Sequence, residues 1–176
     1  FFFKFTLWCL QNKCMSGVYS INPSLYQKNR PVYQEDLFEF IYRHVNNFDL
    51  AWDCATGNGQ AVLNLHKKFN KIIASDIDQK QLDFAHKFKN VAYHCFAEEI
   101  PIIDNESVDL VTVATAIHWL DQKKFFKESD RVLKKGGVLA VWGYDGKSLH
   151  PDLDEVLDKI IKDYLDPYYS HHIQIA

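Results

Sequence analysis

Methionine occurs once in this 176-residue chain, at Met15, and the first residue is Phe1, so the sequence is expected to be a fragment, open at both ends. Cysteine is scarce: Cys9, Cys14, Cys54 and Cys95 show no paired metal-ligand spacing. Cys54 and Cys95 lie in apolar runs and read as small buried side chains in a reducing compartment, hence a cytoplasmic protein. A long basic run is also missing, and the net charge is −3, so binding to a phosphate backbone is not expected and no nucleic-acid partner is inferred. The apolar start "FFFKFTLWCLQNKC" is broken by Lys4, Gln11, Asn12 and Lys13. It falls short of the roughly 20 apolar residues of a membrane span, and it lacks the leading basic residues and small cleavage-site residues of a signal peptide. No membrane partner is expected. Internal repeats, low-complexity tracts and carboxylate clusters of metal-binding type are absent too, and no metal site is assigned.

What remains is a chain with 47% hydrophobic and 15% aromatic residues, enough to bury the core of one domain. Residues 1–18 read as an N-terminal extension and 19–170 as the domain. "QEDLFEFIYRHV" predicts a helix over about 34–46, with Leu37, Phe40, Ile41 and Val45 at helical spacing. "FDLAWDCA" reads as a short buried strand. Val62, Leu65 and Phe69 mark a helix after it, and "KIIASDID" a second strand ending in acids. "QKQLDFAHKF" is a helix with Leu82, Ala85 and Phe88 inward, "NVAYHCFA" a third strand, and "SVDLVTVATA" a fourth, apolar enough for burial on both faces. "DQKKFFKESDRVL" is an amphipathic helix through Phe125, Ser129, Val132 and Leu133, expected to stop at "KKGG". Lys134 and Lys135 then read as a solvated helix end. "VLAVWGYD" is a fifth strand, and "HPDLDEVLDKIIKDYL" a last helix with Pro151 in its first turn. Strands alternating with helices predict an α/β fold with a doubly wound, mainly parallel sheet. A ligand on such a sheet sits beyond the C-terminal strand ends.

The loop "AWDCATGNGQ" is the candidate grip. Gly57 and Gly59 let a ligand approach the backbone, although two glycines alone also fit an ordinary tight turn. "GNGQAV" puts Val62 where the dinucleotide fingerprint needs its third glycine, which argues against a nicotinamide cofactor. No Tyr-x-x-x-Lys pair supports a reductase either. Asp53, at the strand's end, would repel a pyrophosphate and suits a cationic ligand, namely the ammonium and sulfonium of S-adenosylmethionine. Asp76 lies 19 residues after Gly57 at the end of the second strand, placed to accept both hydrogens of a ribose diol. Asp78 is read as the cap of the following helix.

The chain resembles the class I S-adenosylmethionine-dependent methyltransferases, of the type 11 or trans-aconitate methyltransferase-like kind. "DCATGNGQ" resembles that family's D-x-G-x-G-x-G loop and "ASDID" its acidic motif. "AEEIPIIDNESVDLVTVATAIHWLD" resembles its A-E-x-[LI]-P stretch, fourth strand and HW segment. "RVLKKGGVLAVW" resembles the turn into strand five, and "YQKNRPVY" the lead-in Y-x-x-x-R-P-x-Y. The resemblance spans about residues 19–145. It implies a Rossmann-like fold, S-adenosyl-L-methionine as cofactor and methyl transfer to a small-molecule substrate. By resemblance, Asp53, Ala55, Gly57 and Gly59 would lie along the cofactor's methionine part, Asp76 on its ribose, and Ala97 and Glu98 at its adenine. Thr115 and Ala116 would lie beneath the sulfonium, with His118 and Trp119 on the methyl-transfer side. Tyr26, Arg30 and Tyr33 would form a lid, Arg30 placed to pair with a carboxylate. For several of these a plain structural part stays open: Trp119 packing a helix start, His118 held by a backbone bond, Tyr33 leading into the first helix. His171 and His172 read as a tail feature.

If the acceptor is a carboxylate it needs no general base; if it is a hydroxyl or amine, His118 is the local group that titrates near neutrality. Three departures accompany the resemblance. Ala55 stands at the loop's first glycine, tolerable with φ below zero. Phe96 replaces a small or acidic residue before Ala97. An antiparallel strand pair after strand five is missing from the pattern, so the domain is expected to be truncated. A non-catalytic, cofactor-binding scaffold is the alternative to an enzyme.

Overall fold

A computed structural model describes residues 33–97 and 102–143. The elements in chain order are α1 (Glu35–Tyr42), β1 (Leu50–Cys54), α2 (Val62–Leu65), β2 (Lys71–Asp76), α3 (Gln79–Asp83), β3 (Val91–Cys95), β4 (Val108–Ala114), a 3₁₀ turn (Ile117–Trp119), α4 (Gln122–Val132) and β5 (Leu133–Trp142). The five strands form one sheet in the order β3-β2-β1-β4-β5, with every neighbouring pair parallel. The fold is the expected α/β, Rossmann-like arrangement. Chain order reverses between β1 and β4, which makes the crevice at their C-terminal ends the topological switch point. The last helix read in the sequence, Cys9, Cys14, His171 and His172, and any strand pair after strand five lie outside the described residues.

The period of two along a strand divides the core between the two faces of the sheet. Ala51 and Leu110 join Phe38, Ile41, Leu65, Phe69 and Ile72 on one side. Trp52, Val111 and Val113 meet Phe125 and Val132 of α4 on the other. β4 is buried along nearly its whole length, as its apolar run predicts. Trp52 is fully buried and donates its indole N–H to Ser75 Oγ at 2.9 Å, so β1 and β2 are joined by a side-chain bond as well as by their ladder. Capping residues set the helix starts: Asp78 accepts from Lys80 N at α3, as expected, and Asp121 accepts from Lys124 N at α4.

Four expectations are corrected here. Helix α1 ends at Tyr42, not near 46, because the next N–H groups tighten onto carbonyls three residues back (His44 to Ile41, Val45 to Tyr42). Phe38, not Phe40, fills the inward place beside Ile41; Phe40 is 60% exposed and meets His44 edge-on. Helix α4 stops at Val132, where Leu133 turns extended, so the glycines lie within β5 and not at a helix end. They absorb an irregularity: Val108 faces Leu133 and Leu110 faces Val138, so β5 carries extra residues between these two partners. Gly136 takes φ +79 there, and a Cβ on Gly137 would meet Leu133 Cδ2 at 2.9 Å and the Val108 carbonyl at 3.1 Å. Cys54 is buried as expected, but Cys95 is exposed, since β3 is an edge of the sheet.

Lys134 also departs from its reading as a solvated helix end. Its Nζ lies 2.8 Å from Asp109 Oδ1 and 3.3 Å from Asp49 Oδ2. Asp109 is buried, and its Oδ2 accepts from the N–H groups of Asp49 (3.0 Å) and Leu50 (3.1 Å). One carboxylate thus ties the starts of β1, β4 and β5 together.

Candidate functional site

At the opposite, C-terminal end of the strands the chain leaves β1 through a loop with three left-handed residues: Ala55 (φ +54), Gly57 (φ +56) and Gly59 (φ +85). The condition under which a methyl group at Ala55 is easily tolerated, φ below zero, is not met. The loop must turn sharply to set Thr56 N on the Ser75 carbonyl at 2.9 Å and Gly59 N on the Thr56 carbonyl at 2.9 Å. A methyl group in this conformation is strained by about 1–2 kcal/mol. The two glycines are needed for different reasons. A Cβ on Gly59 would lie 2.9 Å from Tyr93 Oη, whereas one on Gly57 would meet no described residue within 4 Å. Space is therefore open beside Gly57 and closed beneath Gly59.

Asp53 is 1% exposed at the end of β1. Its Oδ1 accepts from Thr112 Oγ1 at 2.6 Å and its Oδ2 from Thr56 Oγ1 at 2.5 Å. Burial pushes its pKa up to about 6; the two hydroxyls pull it down, and the charge of Asp76 adds to the rise. Asp76 sits alongside, its Oδ2 accepting from Gly57 N at 2.7 Å and its Oδ1 from Asp78 N at 2.9 Å. Burial raises its pKa as well, against the pull of those backbone N–H groups. Neither carboxylate has a cationic partner among the described residues. Between the two loop glycines, Asn58 is 1% exposed with neither amide atom partnered among the described residues, and Gln60 Oε1 is buried with no partner among them either.

The end of β4 contributes a second group. Thr115 is a β-branched residue at φ +55, an outlier for its type. Its N–H donates to the Trp142 carbonyl at 2.7 Å, and its hydroxyl lies 2.9 Å from Tyr33 Oη. Tyr33 is buried, packs edge-on against Trp142 at 5.4 Å, and accepts at its carbonyl from Asn64 Nδ2 at 3.4 Å. These anchors hold Thr115 in a conformation costing about 1–3 kcal/mol. Beyond it, buried Ala116 leads into the turn that carries His118 and Trp119, whose rings lie 4.9 Å apart. Trp119 is 55% exposed. His118 is open to solvent overall, but desolvation of its ring pulls its pKa below the ordinary imidazole value.

Of the residues singled out in the sequence, Asp53, Ala55, Gly57, Gly59 and Asp76 are brought together around the β1 loop. Thr115 and Tyr33 touch each other at the end of β4, with His118 and Trp119 on the following turn. Ala97 is half-buried just after β3, and Phe96 before it packs against the cluster around Trp52. Tyr26, Arg30 and Glu98 lie outside the described residues. Sequence reasoning passed over Thr56, Thr112, Tyr93 and Asn58. The signal for Thr112 was a hydroxyl residue in a largely apolar central strand, directly in register with Asp53. Among the described residues no group of three or more metal-type ligands forms, and no helix is long and apolar enough to cross a membrane.

A family model described as a methyltransferase domain matches residues 52–141, from the middle of β1 to the end of β5. The chain belongs to that methyltransferase family. A Dictyostelium discoideum protein bearing a methyltransferase name is 40% identical over 120 residues, 68% of this chain and 46% of its own length. Methyltransferase gedG of Aspergillus terreus is 30% identical over 128 residues, 68% of this chain and 40% of its own. The chain thus spans under half the length of these curated relatives. A solved structure titled a type II methyltransferase, from Anaeromyxobacter dehalogenans, superposes with a TM-score of 0.68 at 29% identity, covering 84% of this chain and 61% of the other. The methyltransferase family match includes the whole of the glycine loop, both acids and the turn with His118 and Trp119.

Proposed function

We propose that the chain binds S-adenosyl-L-methionine and transfers its methyl group to a small-molecule acceptor, a carboxylate of the trans-aconitate methyltransferase-like kind being the first choice. The observation that supports this most is the pair of buried acids, Asp53 and Asp76, set against a loop whose Gly57 faces open space. Such a site repels a pyrophosphate and favours a cationic ligand. The residues fit that cofactor: the Asp76 carboxylate, oriented by the Gly57 N–H, is placed for ribose hydroxyls, and the Asn58 amide, unpartnered among the described residues, offers a donor and an acceptor to an amino-acid end. When bound, the cofactor supplies an electrophilic methyl on a sulfonium.

The protein supplies alignment and a dry pocket. In this reading Asp53 orients the cofactor's amino end, Asp76 holds the ribose, and the loop from Ala55 to Gly59 lies along the methionine part. Ala97 and Glu98 read the adenine. Thr115, clamped by Tyr33, fixes the floor at the end of β4, and Trp119 walls the acceptor side with Tyr26 and Arg30 over it. His118, its pKa lowered, is neutral at pH 7 and able to take a proton from a hydroxyl or amine acceptor; a carboxylate acceptor leaves it idle. Residues 19–170 form the domain in this reading, with 1–18 as an extension.

Calorimetry with S-adenosylmethionine and S-adenosylhomocysteine tests the reading. Binding of both is expected, and no binding of either at millimolar concentration refutes it. Transfer of labelled methyl into a metabolite extract then separates an enzyme from a cofactor-binding scaffold, which would bind without transfer.

A further inference from the structure

We infer that Tyr33 is a positioning residue: through the contact of its hydroxyl with Thr115 it sets the aim of the turn that carries His118 and Trp119. The inference rests on the function proposed above in calling that turn the acceptor side of the site.

Tyr33 is 8% exposed and is fixed in three ways. Its ring meets Trp142 of β5 edge-on at 5.4 Å, and its carbonyl accepts from Asn64 Nδ2 of α2 at 3.4 Å. Neither contact needs the hydroxyl. The third does: Tyr33 Oη lies 2.9 Å from Thr115 Oγ1, 82 residues on in the sequence. Among the described residues this is the one side-chain hydrogen bond of Thr115. It bears on a residue that does not settle there by itself, since Thr115 is β-branched and stands at φ +55. The backbone bond from its N–H to the Trp142 carbonyl, at 2.7 Å, fixes the end of β4 but not the direction of the chain beyond.

That chain is short. Ala116 is buried, and Trp119 N closes the turn on the Ala116 carbonyl at 2.9 Å. His118 and Trp119 follow so soon after Thr115 that rotation at Thr115 carries both rings with it. Trp119 is 55% exposed, so burial does little to hold its ring. Without the Tyr33 hydroxyl, Thr115 is free to turn its own hydroxyl to water and relax toward φ below zero, and the turn swings with it. Methyl transfer depends on alignment, and a misplacement of about 1 Å can cost it about 100-fold.

Tyr33→Phe keeps the ring, its contact with Trp142 and its carbonyl, and removes the hydroxyl alone. The readout is the titration of His118, followed by NMR on the full chain labelled at histidine, with the signal identified by its loss in His118→Gln. In the original chain desolvation of the ring, the one cause of its shift, holds the His118 pKa below the ordinary imidazole value. In Tyr33→Phe it is expected to rise toward that value. Thr115→Val, which removes the other hydroxyl, should raise it equally, and the double variant no further. Thr115→Ser, which keeps a hydroxyl, should titrate as the original does. A His118 pKa that fails to move in either Tyr33→Phe or Thr115→Val overturns the inference, and so does a Thr115→Ser variant that behaves like Thr115→Val. Should Tyr33→Phe fail to fold, the Thr115 variants decide. Calorimetry with S-adenosylmethionine keeps the two readings apart. Tyr33→Phe should bind it as the original does, while transfer of labelled methyl into a metabolite extract falls at least about tenfold. Lost affinity in the variant would put Tyr33 on the cofactor side and overturn the inference. Binding by neither protein overturns the cofactor reading instead, and the titration of His118 then decides the positioning of the turn.

Discussion

Replacing Asp53 by asparagine should stabilise the chain at neutral pH. The side chain keeps its shape, and both hydroxyl partners can be satisfied, since the amide oxygen accepts from one threonine and the amide N–H donates to the other. What disappears is a buried negative charge. The Asp53 pKa stands at about 6 in the folded chain against 3.8 for an unperturbed aspartate. One pKa unit corresponds to about 1.36 kcal/mol, so ionising Asp53 at pH 7 or above costs the fold about 3 kcal/mol relative to the protonated form. The sign follows from proton counting. Between pH 3.8 and about 6 the folded chain holds more protons than the unfolded one, so this contribution to stability is complete below the window and lost as pH rises through it. Asparagine has no such window. Urea unfolding of both proteins from pH 4.5 to 7.5 should show the variant gaining on the original by about 2–3 kcal/mol across that range and then levelling off. Other carboxylates titrate alike in the two proteins and cancel in the difference. A difference that stays constant with pH, or a variant less stable at pH 7.5, would refute the argument that Asp53 is a strained buried charge.

Other outcomes follow from the same geometry. Ala55→Gly removes a methyl held at φ +54; relief of about 1–2 kcal/mol, set against about 0.4–1 kcal/mol of added unfolded-state entropy, leaves a small net gain that a thermal melt should show as a modest rise in Tm. Gly59→Ala should destabilise by at least about 2 kcal/mol, because its Cβ would lie 2.9 Å from Tyr93 Oη, and adding Tyr93→Phe should recover part of that loss in a double-mutant cycle by denaturation. Asp109→Ala leaves the N–H groups of Asp49 and Leu50 without their acceptor and Lys134 with Asp49 alone, so chemical denaturation should register a loss of about 1–3 kcal/mol. Asp76→Ala should weaken cofactor binding by about 1–3 kcal/mol, and unchanged affinity in calorimetry would move the ribose role to Asp78.

The order of strands and helices was legible because it depends on local periodicity. β4 announced its burial by a largely apolar run, and Asp78 its capping role by its place before "QKQL". Apart from the early end of α1, the departures turn on contacts distant in sequence. Phe38 and Phe40 are equally apolar, and the position of the sheet decides which one turns inward. "KKGG" looks like a helix terminus until β5 is seen to pair with β4, whose Asp109 draws in Lys134. At the site, Asp53 and Asp76 stood out because charge near a strand end is conspicuous. Thr56 and Thr112 did not, since a hydroxyl becomes informative only once the acid it serves is known. The left-handed turn at Ala55 was hidden for a related reason: alanine gives no sign of the conformation the loop imposes on it.

The clasp at Asp109 and Thr112, which serves the strained carboxylate of Asp53, lie on the same strand, three residues and so about 10 Å apart. Along β4 the fold thus keeps a division of labour, with cohesion gathered at the strand's beginning and frustration tolerated at its end. Substitutions that far apart, with no shared partners, act almost additively. Someone re-engineering this chain could therefore reinforce the first end and spend the added robustness on remodelling the second, altering what the crevice accepts without negotiating each change against collapse of the sheet.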